Sequence, residues 1–448
     1  MTSRRLRVAY LDHAVEVGGG AEEALVDLLR FVDRDLVEPR LIVAERTDWL
    51  RDVDLAEDEI VRFFPESGEV LERSRDTLGD SRSNLRSLRR SLGPVRGLAH
   101  LLRRHHVDIV HTNSLKTHVL GGLAARMARK PLVWDVRDIL DPGPARRLLL
   151  RVARFTRPHI IAMSAAVGRF LEPAHCPTSV VHGGRSPEHF RQVPASDALR
   201  AELGLTRDNE VVTVIARLTP WKGHMVLLDA FRAVHVERPQ ARLLVVGAPT
   251  FWEETYLTEL QERAAQLGCA EAIRWTGFRD DIPAILSLTD VMVLPSFNEP
   301  FGIVIVEAMI AGKPVIVCDS GGPPEIVEDG VTGLIVPTRK VGPLADALVT
   351  LLSDPVRAHE MGRRGRKRAD CFGLRRADFH QRGSAGRKQR GKLGDKHPVI
   401  TQPIRSGKER GGGFVFAHRS IKRGAAFDIG RKPGDLAQPI KAGHHQEA

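Results

Sequence analysis

The sequence predicts an α/β protein made of two doubly wound domains that face each other across a cleft. Three observations predict it. The chain has 448 residues, more than one hydrophobic core usually serves. Short apolar runs alternate with helix-patterned segments, the signature of parallel βαβ units. The alternation also stops in a polar stretch and restarts near residue 210.

The first domain is expected over residues 1–190. It opens on the strand "RLRVAYL" (5–11), a glycine loop "EVGGGAEE" and the helix "AEEALVDLLRFV", whose apolar residues recur at helical spacing. Strands follow at "RLIVA", "DIVHT" (108–112), "PLVWDV" (131–136), "HIIAMS" (159–164) and "SVVHGG" (179–184), with helical segments between them. The linker is expected at "SPEHFRQVPASDA" (186–198), which is polar and carries two prolines. The second domain, 191–375, repeats the pattern with "EVVTVIARL", "ARLLVVGAP", "EAIRWTGF", "DVMVLPS", "KPVIVCDS" and "GLIVP". The helices "GPLADALVTLLSD" and "DPVRAHEMGRRGRKRA" close it. Residues 376–448 read as a basic, low-complexity tail without periodicity, expected to be disordered.

Composition excludes some readings. The formal charge of +11 looks like a nucleic-acid signal, but from His380 onward there are 15 Lys+Arg against 5 Asp+Glu. The body is therefore nearly neutral, and a solvated tail is expected rather than nucleic-acid binding. Four scattered cysteines, Cys176, Cys269, Cys318 and Cys371, suit a reducing compartment and have no metal-binding spacing. With no secretory signal pattern and no apolar run of spanning length, a cytoplasmic location is expected.

The stretch "NEPFGIVIVEAMIAGKPVIV" (298–317) carries the strongest chemical signal. "DVMVLPS" and "KPVIVCDS" are both buried strands, and joining them in parallel needs a crossover. The segment between them is therefore a helix, although "GIVIV" alone would suit a strand. That places Glu307 on a short buried helix, stopped by Gly312 and Pro314, and Glu299 in the loop before it. A buried carboxylate needs a partner, either a nearby arginine or a pair of sugar hydroxyls. In "ARLTPWKGH", Arg217 and Lys222 flank a strand end and a helix start, an arrangement suited to an anion such as a diphosphate. The run "VGGGAEE" is neither a dinucleotide fingerprint nor a Walker A, but its backbone can approach a phosphate. His111 is expected at the cleft end of "DIVHT", within reach of a sugar hydroxyl, and Arg137 and Asp138 end another strand. The acidic pair in "RDD" (279–281) reads as a loop with a helix-capping aspartate rather than a metal site.

In order along the chain, "GGGAE", "VHTNS", "ARLTPWKG", "VGAP", "WTGFRDDI", "VLPSFNEPFGIVIVEAMIAGKPVIVCDSGGPPEIV" and "VTGLIVP" resemble the family 4 glycosyltransferases, retaining enzymes of GT-B fold. The resemblance covers roughly residues 5–370 and implies a role for each matching position. Glu307 would hold the ribose and Glu299 the donor sugar. Arg217 and Lys222 would hold the diphosphate. The amides of Phe301, Gly302 and Ile303 would contact the donor, and Gly19 and Gly20 would approach the phosphate from the opposite domain. His111 would contact the donor sugar, and Phe278 and Arg279 would read the base. The co-substrate would be a nucleoside diphosphate-sugar with no metal or other cofactor. The acceptor would be a glycan, a lipid-linked oligosaccharide or a small molecule. A nucleotide-sugar epimerase of the same fold, or a nucleotide-sugar-binding protein without catalysis, are the alternatives.

Three departures from the family pattern stand out. The hinge reads "HGGRSPEHF", without the usual Asn and Asp; the "VGAP" loop lacks the G-x-G form; and the closing helix is not legible after "CFGLRRADFHQRG". Residues 78–104 are basic and amphipathic, with a Gly93-Pro94 interruption. Their apolar face is expected on the sheet, with contact to the inner face of an anionic membrane as the alternative.

Overall fold

The computed structural model describes residues 4–14, 20–44, 50, 53–64, 81–191, 193–249 and 254–372. The tail at 376–448 and Gly19 lie outside the described residues, as does any closing helix beyond Phe372.

Two sheets form, and every strand pair in both is parallel. The first contains β1 (Leu6–Leu11), β2 (Val37–Ala44), β3 (Ile60–Phe64), β4 (Ile109–Thr112), β5 (Leu132–Val136), β6 (His159–Ala162) and β7 (Thr178–Val180). Its spatial order is β3-β2-β1-β4-β5-β6-β7. The second contains β8 (Glu210–Ile215), β9 (Ala241–Val246), β10 (Ile273–Gly277), β11 (Val291–Leu294), β12 (Val315–Cys318) and β13 (Leu334–Val336), in the order β10-β9-β8-β11-β12-β13. The two facing Rossmann-like sheets are the architecture expected from the sequence. The edge strand β3 escaped that reading, because "IVRFF" alternates poorly and is only partly buried.

The strands form because their side chains are apolar on both faces. β4, β5, β11 and β12 are buried throughout, and helices cover each sheet. The crossover 303–310 is helical despite its β-branched residues, since Ile305, Val306, Met309 and Ile310 bury against the second sheet. The basic helix Ser81–Arg104 runs through Pro94 without ending there. Its described apolar residues Val95, Leu98 and Leu102 lie in the first core, so that face belongs to the sheet. Leu85, Leu88 and Leu92 lie outside the described side chains. Among the described residues, no helix is long and apolar enough to cross a membrane.

The strand order reverses between β1 and β4, and again between β8 and β11. Crevices form at such switch points, beyond the strand carboxyl ends. The loops that carry Arg217, Lys222 and Glu299 leave β8 and β11 at the second switch point. The first helix, Gly20–Phe31, starts after β1 at the other.

The two halves are joined by polar contacts across the seam. Glu325, in the short helix Pro323–Ile326, accepts from the backbone amides of Ala165 (2.8 Å) and Ala166 (2.9 Å), which start the helix Ala165–Leu171. The carboxylate of one half thus caps a helix of the other. His182 Nε2 lies 3.0 Å from Glu325 Oε2, and Ser164 Oγ donates to the Pro300 carbonyl at 2.6 Å. The His182 ring stacks on Phe301, and Phe372 packs edge-on against both.

Burial alone would push the Glu325 carboxyl up. The His182 hydrogen bond and the two amides outweigh it, and the net shift is downward. A carboxyl whose folded value lies below its unfolded value stabilises above the unfolded value, and loses that contribution as pH falls through the folded one. Glu325→Gln is therefore expected to cost about 1–3 kcal/mol at neutral pH, because only one amide oxygen can accept. In urea titrations the gap to wild type should narrow below about pH 4. A gap that stays constant with pH would show that the charge of Glu325 does not hold the seam.

Candidate functional site

At the second switch point, β8 ends at Ile215 and Arg217 follows as an exposed side chain. The chain then makes the short turn Pro220–Lys222 before the helix His224–Glu237. Lys222 does not open that helix, as the sequence suggested; Gly223 intervenes. The Lys222 ammonium lies 4.1 Å from the Trp221 ring centroid and donates to Glu299 Oε2 at 2.7 Å. Lys222 and Glu299, expected on separate parts of a ligand, are thus paired with each other. Both are nearly buried, so the pair is shielded from bulk water.

Glu299 is held by its backbone. Its carbonyl accepts from Gly322 N at 2.8 Å, and it bridges Gly321. Gly321 sits at φ +81, and a Cβ there would stand 2.0 Å from the Glu299 carbonyl oxygen. Only glycine permits this approach. The loop then enters the helix Ile303–Ile310 through Gly302, at φ +91, where a Cβ would meet Ile305 Cδ1 at 2.7 Å. Phe301, just before this helix, is fully buried.

Glu307 lies on that helix, buried as expected, but a partner is supplied by the chain. Arg185 Nε donates to Glu307 Oε1 at 2.7 Å. Burial pushes the Glu307 carboxyl up; Arg185 pulls it down without cancelling the shift. Arg185 also reaches Asp27 Oδ2 at 3.4 Å and Glu23, both on the helix Gly20–Phe31. Sequence reasoning missed Arg185, Glu23 and Asp27, and equally Ser164, His182 and Glu325. The one available signal was an arginine at the hinge position where the family pattern has an aspartate.

On the opposite side, Gly20 is the first residue of its helix. Glu22, in the first turn, is half-buried. Burial, then Asp12, pushes its carboxyl up to about 7; Asp138 adds to the rise and Arg217 opposes it. Asp12 is fully buried and accepts from Asn113 Nδ2 (3.0 Å) and Ala14 N (2.8 Å). Arg137, considered for the site, is turned to Asn113 and Asp135 instead. His111 precedes the last residue of β4 rather than ending it. It is 1% exposed, with its ring 5.1 Å from that of Tyr10.

Phe278 stands 76% exposed at the end of β10. Arg279 beside it is clamped by both oxygens of Asp281 at 2.7 Å and by Glu202 at 2.5 Å. Asp281 of "RDD" stands at the N-cap position of the helix Ile282–Leu288, as expected of a helix-capping aspartate, but its carboxylate grips Arg279 rather than a helix amide. Bidentate guanidinium pairing offers two strong hydrogen bonds that an exposed amide cap does not match.

A profile described as "Glycosyltransferase Family 4" matches residues 18–189, and one described as "Glycosyl transferases group 1" matches residues 195–368. The chain is 31% identical over 293 residues to a D-inositol 3-phosphate glycosyltransferase of Streptomyces avermitilis, covering 60% of this chain and 63% of that relative's length. It is 34% identical over 219 residues to a GDP-mannose-dependent alpha-(1-6)-phosphatidylinositol monomannoside mannosyltransferase of Mycobacterium tuberculosis, covering 46% and 56% of the two chains. Among solved structures, Anabaena HepE in complex with UDP and glucose superposes with a TM-score of 0.70 at 28% identity, over 85% of this chain and 99% of that one. The switch-point loops, the two facing parallel sheets and the two matched profiles agree: this chain belongs to the family 4 glycosyltransferases, with the GT-B fold.

Proposed function

We propose that the protein transfers a sugar from a nucleoside diphosphate-sugar to an acceptor hydroxyl, with retention of anomeric configuration. The observation that carries this reading is the Lys222–Glu299 pair, shielded at the second switch point beside Arg217 and the start of the helix Ile303–Ile310. A leaving diphosphate gathers negative charge in the transition state, and preorganised cations and helix amides stabilise that charge. Arg217 and Lys222 serve the diphosphate, together with the amides of Phe301, Gly302 and Ile303 and, from the other half, Gly20; the same role for Gly19 falls outside the described residues. Glu299, released from Lys222, accepts from donor-sugar hydroxyls; Glu307 accepts from the ribose. Phe278 offers a flat exposed ring beside the base, with Arg279 fixed next to it. The chain's own cations handle the charge, and no metal or other cofactor enters the proposal.

For the acceptor, the opposite wall supplies Glu22. An ionised Glu22 accepts a hydrogen bond from an incoming hydroxyl, and its raised value makes that ability pH-dependent near neutrality. The named activities of the relatives support a polyol, glycan or lipid-linked acceptor. Membrane contact is part of the same proposal, and it moves from the helix Ser81–Arg104 to its neighbourhood. The helices Leu115–Ala128 and Pro144–Thr156 contain no carboxylate. On the latter, Arg147, Leu148, Arg151, Arg154 and Phe155 are all exposed, and Arg126 lies over the Phe155 ring at 5.6 Å. A basic stripe with exposed apolar side chains suits an anionic lipid surface.

Three measurements test these readings. With a panel of UDP- and GDP-sugars, wild type should bind one donor class and hydrolyse or transfer it. Lys222→Ala should lower kcat by about a hundredfold or more; donor binding without turnover would overturn the catalytic reading. The wild-type rate should rise with pH through about 7 as Glu22 ionises, and Glu22→Gln should flatten that rise; an unchanged profile removes Glu22 from the reaction. In vesicle co-sedimentation, binding should require anionic lipid and fall when Arg147 and Arg151 are replaced by glutamate. Equal partitioning onto neutral vesicles would count against the stripe.

A further inference from the structure

Arg185 stands where the chain passes from one half to the other, and the proposed roles of the cleft residues leave it without a task. Its side chain is 11% exposed, and each of its three guanidinium nitrogens meets a different carboxylate: Nε meets Glu307, Nη1 meets Asp27 and Nη2 meets Glu23. Its backbone amide donates to the Phe372 carbonyl at 3.2 Å, which fixes the base of the side chain. One carboxylate comes from the second half and two from the first.

We propose that Arg185 is a positioning residue for the donor: it holds Glu307 ionised by gripping Oε1, leaves Oε2 for a ribose hydroxyl, and ties that carboxylate to Glu23 and Asp27 of the opposite half. This rests on the reading of Glu307 as the ribose-binding carboxylate. Glu307 Oε2 makes no other hydrogen bond among the described residues, so the grip leaves one acceptor oxygen unused. A buried carboxylate would otherwise take up a proton, and a protonated carboxyl accepts fewer hydrogen bonds from a diol. The rigid fork of arginine can serve three acceptors at once, which a lysine ammonium on a flexible stem does less well. The same cation joins the two halves, so nucleotide binding at Glu307 and the approach of the helix Gly20–Phe31 become coupled.

The surroundings leave Arg185 as the cation that matters for Glu307. From the helix Gly20–Phe31 come Glu23 and Asp27, both of which oppose its ionisation; Arg30 lies 3.8 Å from Asp27. On the helix Pro187–Phe190, Glu188 and His189 are exposed. Glu325 is held by His182 and the two amides of the seam. On the helix Pro355–Ala369, Arg366 bonds the Ala311 carbonyl and Arg368 the carbonyls of Ile326 and Glu325.

The test is the pH dependence of nucleotide affinity, measured by calorimetry on the full chain with UDP and GDP as probes. In wild type, affinity should be nearly level across the neutral range. In Arg185→Gln it should be about tenfold weaker on the acid side of neutrality and approach wild type in alkali, as Glu307 regains its charge. Arg185→Lys should recover part of the loss. A loss of equal factor at every pH, or no loss, would overturn the inference. If Arg185→Gln does not fold, the pair Glu23→Gln with Asp27→Asn removes two competing charges and should extend tight binding to lower pH; an unchanged acid limb there would overturn it equally. Glu307→Ala separates the two levels. If that variant binds nucleotide as wild type does, the ribose reading fails; if it does not bind but the Arg185 profiles are unmoved, the ribose reading stands and the role of Arg185 fails.

Discussion

A carboxylate taken out of water must find a partner, and this fold depends on where three such partners come from. Glu299 takes Lys222 from the loop after β8, Glu307 takes Arg185 from the hinge, and Glu325 takes the start of a helix in the opposite half, with His182. All three glutamates belong to the second half, and two of the partnerships cross to the first. The edge where the halves meet is therefore polar and specific rather than an apolar weld, with Phe301, His182 and Phe372 as its packed centre. Seams of this kind can be remade when a ligand offers equivalent hydrogen bonds.

The parallel sheets explain why these groups converge. With every paired strand running the same way, the carboxyl ends of each sheet share one edge, and the strand order reverses once in each. The loops beyond the two reversals carry the cations, the acidic pair and the glycines. Glycines at Gly302 and Gly321 let the Glu299 loop fold back tightly against the start of the helix Ile303–Ile310.

Much of this was legible in the residues. Every strand of the two sheets except the edge strand β3 is readable as an apolar run, and the helical crossover follows from the need to join two parallel strands. Glu307 is recognisably out of place in the sequence itself, a carboxylate among apolar neighbours. The partners were not legible. Arg185 and Glu307 are 122 residues apart, and Ala165 and Glu325 are 160 apart. No local pattern encodes such pairings. The partner of the Asp281 side chain is hidden for a related reason: Asp281 holds the N-cap position that a local rule gives it, but its carboxylate pairs with Arg279, which also reaches Glu202, 77 residues away.

By itself the sequence determined the alternation of strands and helices, because burial on both sheet faces demands continuous apolar runs and glycines mark where the backbone turns. It also determined which side chains have no business in a core. Only the tertiary structure decided what satisfies them: that Lys222 and Glu299 neutralise each other, that Arg185 serves three carboxylates, and that Glu325 caps a helix it shares no neighbourhood with. The physical reason is range. Propensity and periodicity act over a few residues, whereas the cost of an unpaired buried charge is met by whichever partner the packing of two domains brings within about 3 Å.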